Sequence, residues 1–563
     1  MSIAALKVIS FILPFFAVVI LLRIVRSMFN ERVQSELWGC IQTDDKVLRI
    51  THWENLIGRT RSADIRLSDP KISRVHAILI RGAKGTWRIF DVFSKGGVSI
   101  NGDDVGAVGA EVKDGDIIML SDISVRFREV SDEQRRELTE GYDTKWRIVH
   151  PAITLLYVTV FQALLLLEHC FSAEKEYISG IAVGFGILIL LEWLCYFAMR
   201  TVRRTGFEVE LVAFFLSGIG LSVIASSVPG EMLRQMMIVT VGVVLFFVMG
   251  WWLRDLDRTK KLRMPAAIAA VGMLALVLVI GTVQNGARNW IYIGGISVQP
   301  SELVKVAYIY VGAATLDRLF STKNLIVFIG FSAVCVIALA LMGDFGTALI
   351  FFVTFLIISF MRSGSIATVA LAVTGAGMAG FLMLRIKEHI AQRFASWGHI
   401  WEHPFDSGYQ QTHALSAGAS GGLFGKGAGR GWLKSTFAGN TDTVFGVVCE
   451  ELGLIVAVCA VLAIVVLAFF AARNTARGRS AYYSIAACAT AGMLMIQLAL
   501  NVFGSVDILP FTGVTFPFVS RGGTSVLSCW MLLAFIKAGD TRKGASFVVK
   551  LPDAATKKRR EEK

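Results

Sequence analysis

Apolar residues gather into long runs that begin near residue 150 and recur as far as residue 538, with one further run at the start of the chain, whereas residues 30 to 147 alternate short β-branched stretches with polar turns. Crossing a bilayer takes about 20 apolar residues, and fewer where flanking charges reach back to the interface. By that measure thirteen spans are predicted, at approximately 5–22, 151–168, 178–199, 207–228, 235–253, 265–283, 301–316, 325–342, 345–361, 366–384, 443–470, 481–502 and 522–538. The polar stretch has another period. VLRITHW, DIRLS, VHAILIRG, TWRIFDV, DIIML and SVRFREV are separated by Gly, Asp, Asn and Ser turns, the pattern of short antiparallel strands. The expected fold is a polytopic α-helical membrane protein of about 13 spans, with a soluble all-β sandwich between the first and second.

Composition excludes a wholly soluble protein: of 563 residues, 54% are apolar and 18% charged, with mean hydropathy +0.61. The formal charge of +13 is spread over short loops and the tail KKRREEK, which orients a membrane protein and argues against nucleic acid as a partner. The first run has little positive charge ahead of it and Arg23, Arg26 and Arg32 behind it, the reverse of secretory flanks, so an uncleaved anchor with the N-terminus outside is expected. With residues 30 to 147 in the cytoplasm, alternation places Arg200/Arg203/Arg204, Arg254/Arg258/Lys260/Lys261/Arg263, Arg473/Arg477/Arg479 and the tail inside, as the positive-inside rule asks. The loop 284–300, the turn Gly343-Asp344, the loop 385–442 and the loop 503–521 then lie outside. The expected divisions are an anchor at 1–29, the β domain at 30–130, a charged linker at 131–147, two additional helices at 148–206, a ten-helix core at 207–540 and a basic cytoplasmic tail at 541–563. Eight cysteines, mostly inside apolar runs, have neither metal nor disulfide spacing.

Within the β domain stand Gly58-Arg59, Ser73-Arg74-Val75-His76, Ser94-Lys95-Gly96-Gly97 and Asn101-Gly102. Arginines and a serine hydroxyl on adjacent loop tips form charge-assisted hydrogen bonds to phosphate oxygens. Through IGRTRSADIRLSDPKISRVHAIL the domain resembles the forkhead-associated (FHA) family of phosphothreonine readers over about residues 45 to 128. The resemblance implies that Arg59, Ser73 and Arg74 hold the phosphate with Lys95 nearby, and that Gly58 and His76 are structural. Gly96 departs from the family's usual Asn. The alternative is a folded docking surface.

In the membrane region Asp344 interrupts IALALMGDFGTALIFFV, where a carboxylate costs about 2.5–3.5 kcal/mol to insert. Either it caps the following helix or it has a chemical task. QNGARNWIYIGGISVQPSELVK carries Arg288, Glu302 and Lys305 at the mouth of a span; SGYQQTHALSAGASGGLFGKGAGRGW carries Lys426 and Arg430 among glycines that allow close approach to a ligand or plain flexibility; TDTVFGVVCEELG carries Glu450 and Glu451, which also suit a paired or solvated helix face. Taken in order with GDFGTALIFF and LPFTGVTFPFVSRGGTS, these segments resemble the SEDS family (RodA, FtsW, SpoVE) of cell-wall polymerases over about residues 207 to 538. Two positions depart: Met342-Gly343 stands for the usual Gln-Pro, and Arg521 for an aromatic. Spans 151–168 and 178–199 lie outside the resemblance.

The resemblance implies a peptidoglycan glycosyltransferase that polymerises lipid II at the outer face of the bacterial plasma membrane, working with a class B penicillin-binding transpeptidase and a phosphothreonine-containing protein. It implies Asp344 as general base on the acceptor GlcNAc 4-hydroxyl in an inverting displacement. Arg288, Glu302, Lys305, Lys426 and Arg521 are substrate or pyrophosphate candidates. No cofactor is firmly implied; a divalent cation, Mg²⁺ or Mn²⁺, would share the pyrophosphate task, and no ligand cluster marks one. The alternatives are a lipid-precursor flippase or transporter and a non-enzymatic division scaffold.

Overall fold

The computed structural model describes residues 3–30, 37–43, 46–60, 63–82, 85–92, 94–106, 108–130, 149–202, 204, 206–284, 286–294, 296–316, 322–363, 366–386, 394–475, 478–542 and 545–548. The linker at 131–147, most of the basic tail, and Arg32, Arg203 and Arg477 lie outside the described residues.

Alternation builds the β domain. Its strands are β1 Gly39–Gln42, β2 Val47–Ile50, β3 Glu54–Gly58, β4 Ile65–Arg66, β5 Ala77–Arg81, β6 Trp87–Asp91, β7 Val98–Ile100, β8 Asp103–Asp104, β9 Ala110–Val112, β10 Ile117–Leu120 and β11 Ile123–Glu129. They form two sheets, ordered β2-β1-β11-β10-β7-β8 and β4-β3-β5-β6-β9. In β11, Val125 and Phe127 point into the sandwich while Arg126 and Arg128 point out, and the register Ile41↔Phe127 keeps both strands' apolar faces on one side. Trp87 packs edge-on against Phe127 in a core that includes Ile57, Leu79, Ile89, Ile118 and Leu120. VLRITHW, read as one strand, is β2 followed by a bend into β3.

The helices are α1 Ile3–Asn30, α2 Pro151–Ser172, α3 Lys175–Thr201, α4 Glu208–Ser227, α5 Met232–Trp252, α6 Leu256–Lys261, α7 Arg263–Ile280, α8 Pro300–Leu316, α9 Thr322–Leu341, α10 Phe345–Ser363, α11 Ile366–Ile386, α12 Tyr409–Gly421, α13 Val444–Leu452, α14 Leu454–Thr475, α15 Ala481–Ser505 and α16 Gly523–Ala538. Among the described residues nine are long and apolar enough to cross a membrane, and two more, within α10 and α16, are shorter apolar helices. The remaining two expected spans are α8, which carries Glu302 and Lys305, and α11. Apolar residues surround α4, and its whole circumference is buried, which makes it the central post of the bundle.

Two expectations change. The loop expected at 284–300 is a three-stranded antiparallel sheet, β12 Thr282–Gln284, β13 Ala287–Ile293 and β14 Ile296–Val298, whose strands turn at Gly286 and Gly294, both at positive φ. The span expected at 443–470 is two helices, α13 and α14, broken at Gly453. There φ is +88°, and a Cβ would lie 2.4 Å from the Leu423 carbonyl oxygen, so the chain crosses the glycine-rich segment where only glycine fits.

The β domain sits on one end of the bundle, the near end. The Trp53 amide donates to the Arg479 carbonyl, and Glu54 accepts from Ser480 Oγ and the Ala481 amide, so a β3 carboxylate helps cap α15. Trp53 also meets the Tyr483 ring, with centroids 6.1 Å apart. Close by, Glu208 pairs with Arg542 at 2.8 Å, and Lys537 with Glu210 at 3.0 Å, all four buried.

Candidate active site and phosphate-reading loops

At the far end the polar motifs of the membrane region meet. Asp344, half-buried, leads into α10: its Oδ1 accepts from the Thr347 amide at 3.1 Å, a true helix cap. Its Oδ2 is engaged separately, by Asn289 Nδ2 at 3.2 Å from β13 and Gln299 Nε2 at 3.4 Å from the residue before α8. Capping therefore occupies one oxygen and leaves the other facing the sheet. Gly343 makes this turn possible, since φ is +80° and a Cβ would lie 2.8 Å from the Gly286 carbonyl oxygen. That requirement gives the Met342-Gly343 departure a physical reason. The Arg288 amide donates to the Met342 carbonyl at 2.7 Å, which fixes the sheet against the turn.

Further motifs close around this point. A Cβ on Gly346 would touch Val514 at 2.7 Å and Thr512 at 3.2 Å, so α10 runs tightly against the segment 509–522. Asn501 Nδ2 donates to both the Val514 and Asp442 carbonyls, and Ser520 Oγ to the Thr441 carbonyl at 2.6 Å. The Gln299 amide reaches Thr524 Oγ1 at 3.3 Å. Stretches hundreds of residues apart thus share one polar surface with Asp344.

The glycine-rich stretch is held rather than loose: its glycines approach α13. A Cβ on Gly421 would lie 2.2 Å from the Cys449 carbonyl oxygen, and one on Gly425 2.3 Å from that of Glu451. Its amides are accounted for one after another. Lys426 and Gly427 donate to the Glu450 and Glu451 carbonyls, Gly429 and Gly431 to the Glu451 carboxylate, and Leu433 to Glu450 Oε2. Glu450 and Glu451 are buried anchors for this loop, not a solvated helix face. The stretch 385–442, expected as loop, also contains α12.

The charged candidates separate by burial. Lys305 and Glu302 form a buried pair at 2.8 Å, completed by Gln497 Oε1 at 3.0 Å and Ser528 Oγ at 2.9 Å. Their charges are satisfied inside the bundle, because one helical turn into α8 places them below the surface where sequence position suggested the mouth of a span. Arg521 forms a two-point pair with Glu231, at 2.6 and 3.1 Å, about one-third exposed. Lys426 pairs with Glu450 at 2.8 Å and keeps about a third of its side chain exposed. Arg288 is exposed and donates to the Leu278 carbonyl at 2.9 Å. Asn289 and Gln299 went unnoticed at the sequence level. Their signal was position: amide side chains on an alternating strand and just before a helix start, beside an intramembrane acid.

In the β domain the loops carrying Arg59, Ser73, Arg74 and Lys95 lie together. The Arg59 amide donates to the Ser73 carbonyl and the Thr60 amide to that of Arg74, both at 3.1 Å, while the Lys95 amide donates to Ser73 Oγ at 3.1 Å. The Arg59, Arg74 and Lys95 side chains are exposed. His76 is fully buried and joins two loops, one ring nitrogen accepting from the Ser73 amide and the other bonded to the Gly97 carbonyl at 3.0 Å. Gly58 abuts Arg74, whose carbonyl oxygen lies 2.4 Å from where a Cβ would sit. At Gly96 a Cβ would lie 2.3 Å from Ser121 Oγ, so Ser121 fills the space that a larger residue would need.

Fold and site define a multi-pass membrane protein with a carboxylate-centred polar surface at one end and an all-β recognition domain at the other. The chain belongs to the FtsW/RodA/SpoVE family of cell cycle proteins, whose profile matches residues 211–543, and residues 55–121 match the FHA domain. Stage V sporulation protein E of Bacillus subtilis is 33% identical over 312 residues, covering 52% of this chain and 82% of its own length. The probable peptidoglycan glycosyltransferase FtsW of Tolumonas auensis is 31% identical over 344 residues, 58% of this chain and 89% of its own. A chain from a solved peptidoglycan synthase complex aligns with 59% of this chain and 96% of its own at 22% identity, with a TM-score of 0.49. The resemblance seen in the motifs thus holds, and α1, α2 and α3 precede the matched region.

Proposed function

We propose that this protein is a peptidoglycan glycosyltransferase that polymerises lipid II, its FHA domain taking phosphothreonine as regulatory or recruitment input. The observation that carries the reading is the Asp344 carboxylate, held by a helix cap on one oxygen and by two amides on the other, where the family's motifs meet. Family membership and the names borne by its relatives support it. The β domain, Arg200, Arg254, Arg258, Arg473 and Arg479 share the near end, which supports a cytoplasmic near end and an outer far end.

In the reaction, Asp344 takes the proton of the acceptor GlcNAc 4-hydroxyl as that oxygen bonds to the donor sugar's anomeric carbon. The bond from that carbon to pyrophosphate breaks, its electron pair leaving with the undecaprenyl pyrophosphate, and the anomeric configuration inverts. Asn289 and Gln299 orient the carboxylate. Arg288, Lys426 and Arg521 are the candidates facing the leaving group, while Lys305 and Glu302 support the helix from inside. Among the described residues no group of three or more His, Cys, Asp or Glu converges as a metal site. The partners that follow are a class B penicillin-binding transpeptidase, which would crosslink the nascent strand, and a phosphothreonine-bearing protein at Arg59, Ser73, Arg74 and Lys95.

Purified full-length protein in lipid vesicles with labelled lipid II and the partner transpeptidase tests the reading. Glycan polymer is expected. Transbilayer movement without polymer would make the protein a transporter, and neither activity would make it a scaffold.

A further inference from the structure

Outside the family-matched region, α2 ends at the far end in Glu168, His169 and Ser172. Glu168 follows the apolar run LLLL and is 2% exposed, a costly place for a carboxylate. Its two oxygens are used differently: Oε1 accepts from Ser10 Oγ of α1 at 2.9 Å, and Oε2 accepts from the Ala428 amide at 2.8 Å. Ser172 Oγ donates to the carbonyl of the same Ala428 at 2.7 Å. Gly429 is pressed so close that a Cβ would lie 2.5 Å from Ser172 Oγ. Ala428 is thus gripped on both its amide and its carbonyl by one helical turn of α2.

The amides of Lys426, Gly427, Gly429, Gly431 and Leu433 are held by α13 through Glu450 and Glu451. Among the described residues, Ala428 is the loop residue whose amide and carbonyl are both bonded from outside the family-matched region. A shallow cleft there is lined by Ser10, Glu168, Gly427, Ala428 and Arg430. Removing α1 and α2 would leave the loop clamped on one side alone.

We propose that Glu168 is a positioning residue for the polymerase. With Ser10 and Ser172 it forms a second clamp that fixes the glycine-rich loop, and with it the Lys426 and Arg430 cations, at the substrate surface. This rests on the reading of the far end as the lipid II site. The role needs an acceptor oxygen, not a charge: in Glu168→Gln the amide oxygen still accepts from Ala428, and the new NH₂ donates to Ser10 Oγ. Glu168→Ala leaves the Ala428 amide buried without an acceptor.

The test uses the full-length protein in vesicles, with hydrogen exchange of the peptide spanning 425–431 and lipid II kinetics measured on the same samples. Glu168→Ala is expected to lose about tenfold or more in exchange protection and to raise the KM for lipid II about tenfold, with kcat within about twofold. Glu168→Gln is expected to keep both near wild type. If Glu168→Ala does not fold, Ser172→Ala carries the same readouts with smaller shifts in the same direction. Unchanged protection in the alanine variants overturns the clamp, and lost protection with unchanged KM overturns the positioning role. A Gln variant as impaired as Ala also overturns it, because the charge would then be what matters. A wild-type protein that makes no polymer defeats the polymerase reading, while the exchange arm still decides the clamp.

Discussion

At Lys305 the ammonium is 1% exposed and bonded to both Glu302 and Gln497. A pyrophosphate ligand there would have to break a buried pair, so the residue's expected contribution is to stability. Lys305→Ala strands the Glu302 carboxylate and is expected to destabilise the protein by about 3–5 kcal/mol, seen as a large drop in the thermal midpoint in detergent. A variant of wild-type stability with a raised KM would return Lys305 to the substrate surface. Arg59 is the opposite case, exposed beside a hydroxyl held by the Lys95 amide. Arg59→Ala is expected to cost about 1.5–3 kcal/mol of phosphothreonine-peptide binding by calorimetry, with the domain still folded. Unchanged affinity would reject the site. The phosphate set was legible in sequence because its residues stand in short motifs on three loops between Arg59 and Lys95. The Lys305 pair was not, since its partners Gln497 and Ser528 come from α15 and α16, and only packing brings them together.

Elements whose pattern is local were readable, and elements set by contact were not. Uniform apolar runs gave the helix positions, and period-two alternation gave the strands flanking the sandwich core. The break at Gly453 follows Glu450 and Glu451 inside an otherwise apolar stretch, and it exists to let two backbones cross, a contact the local pattern does not show. The glycine-rich stretch read as ligand-facing or flexible for the same reason: the sequence shows glycine but not what lies against it. That difference is measurable. Gly425→Ala forces a side chain at φ +82° onto the Glu451 carbonyl and is expected to cost about 1–3 kcal/mol in stability and most of the polymerase activity. Gly418→Ala, inside α12 where a Cβ meets only Cys449 at 3.4 Å, is expected to be neutral or stabilising by up to about 1 kcal/mol in the same unfolding experiment. Equal tolerance at both positions would mean the loop is loose after all.

Across the whole molecule, α1 joins the two ends: Ser10 meets Glu168 at the far end and Ser27 Oγ donates to Glu208 at the near end. The FHA domain and the carboxylate site therefore lie at opposite ends of one bundle, and the proposed topology puts them on opposite sides of the membrane. With Cys40, Cys170 and Cys488 replaced by Ser, a cysteine at exposed Ser416 is expected to react with an impermeant thiol reagent in intact cells, and one at exposed Ser124 only after lysis. The reverse pattern would invert the orientation. In the proposed reaction Asp344 accepts the acceptor's proton, and one substitution separates this from its visible role as a helix cap. Asn caps as well as Asp, and Asn289, whose Oδ1 is buried without a partner, can turn its amide to receive the new NH₂. Asp344→Asn is therefore expected to insert and melt like wild type while lipid II polymerisation, with the partner transpeptidase present, falls by about 10²–10⁴-fold; polymer made at a near-wild-type rate would contradict the account and leave Asp344 a structural residue.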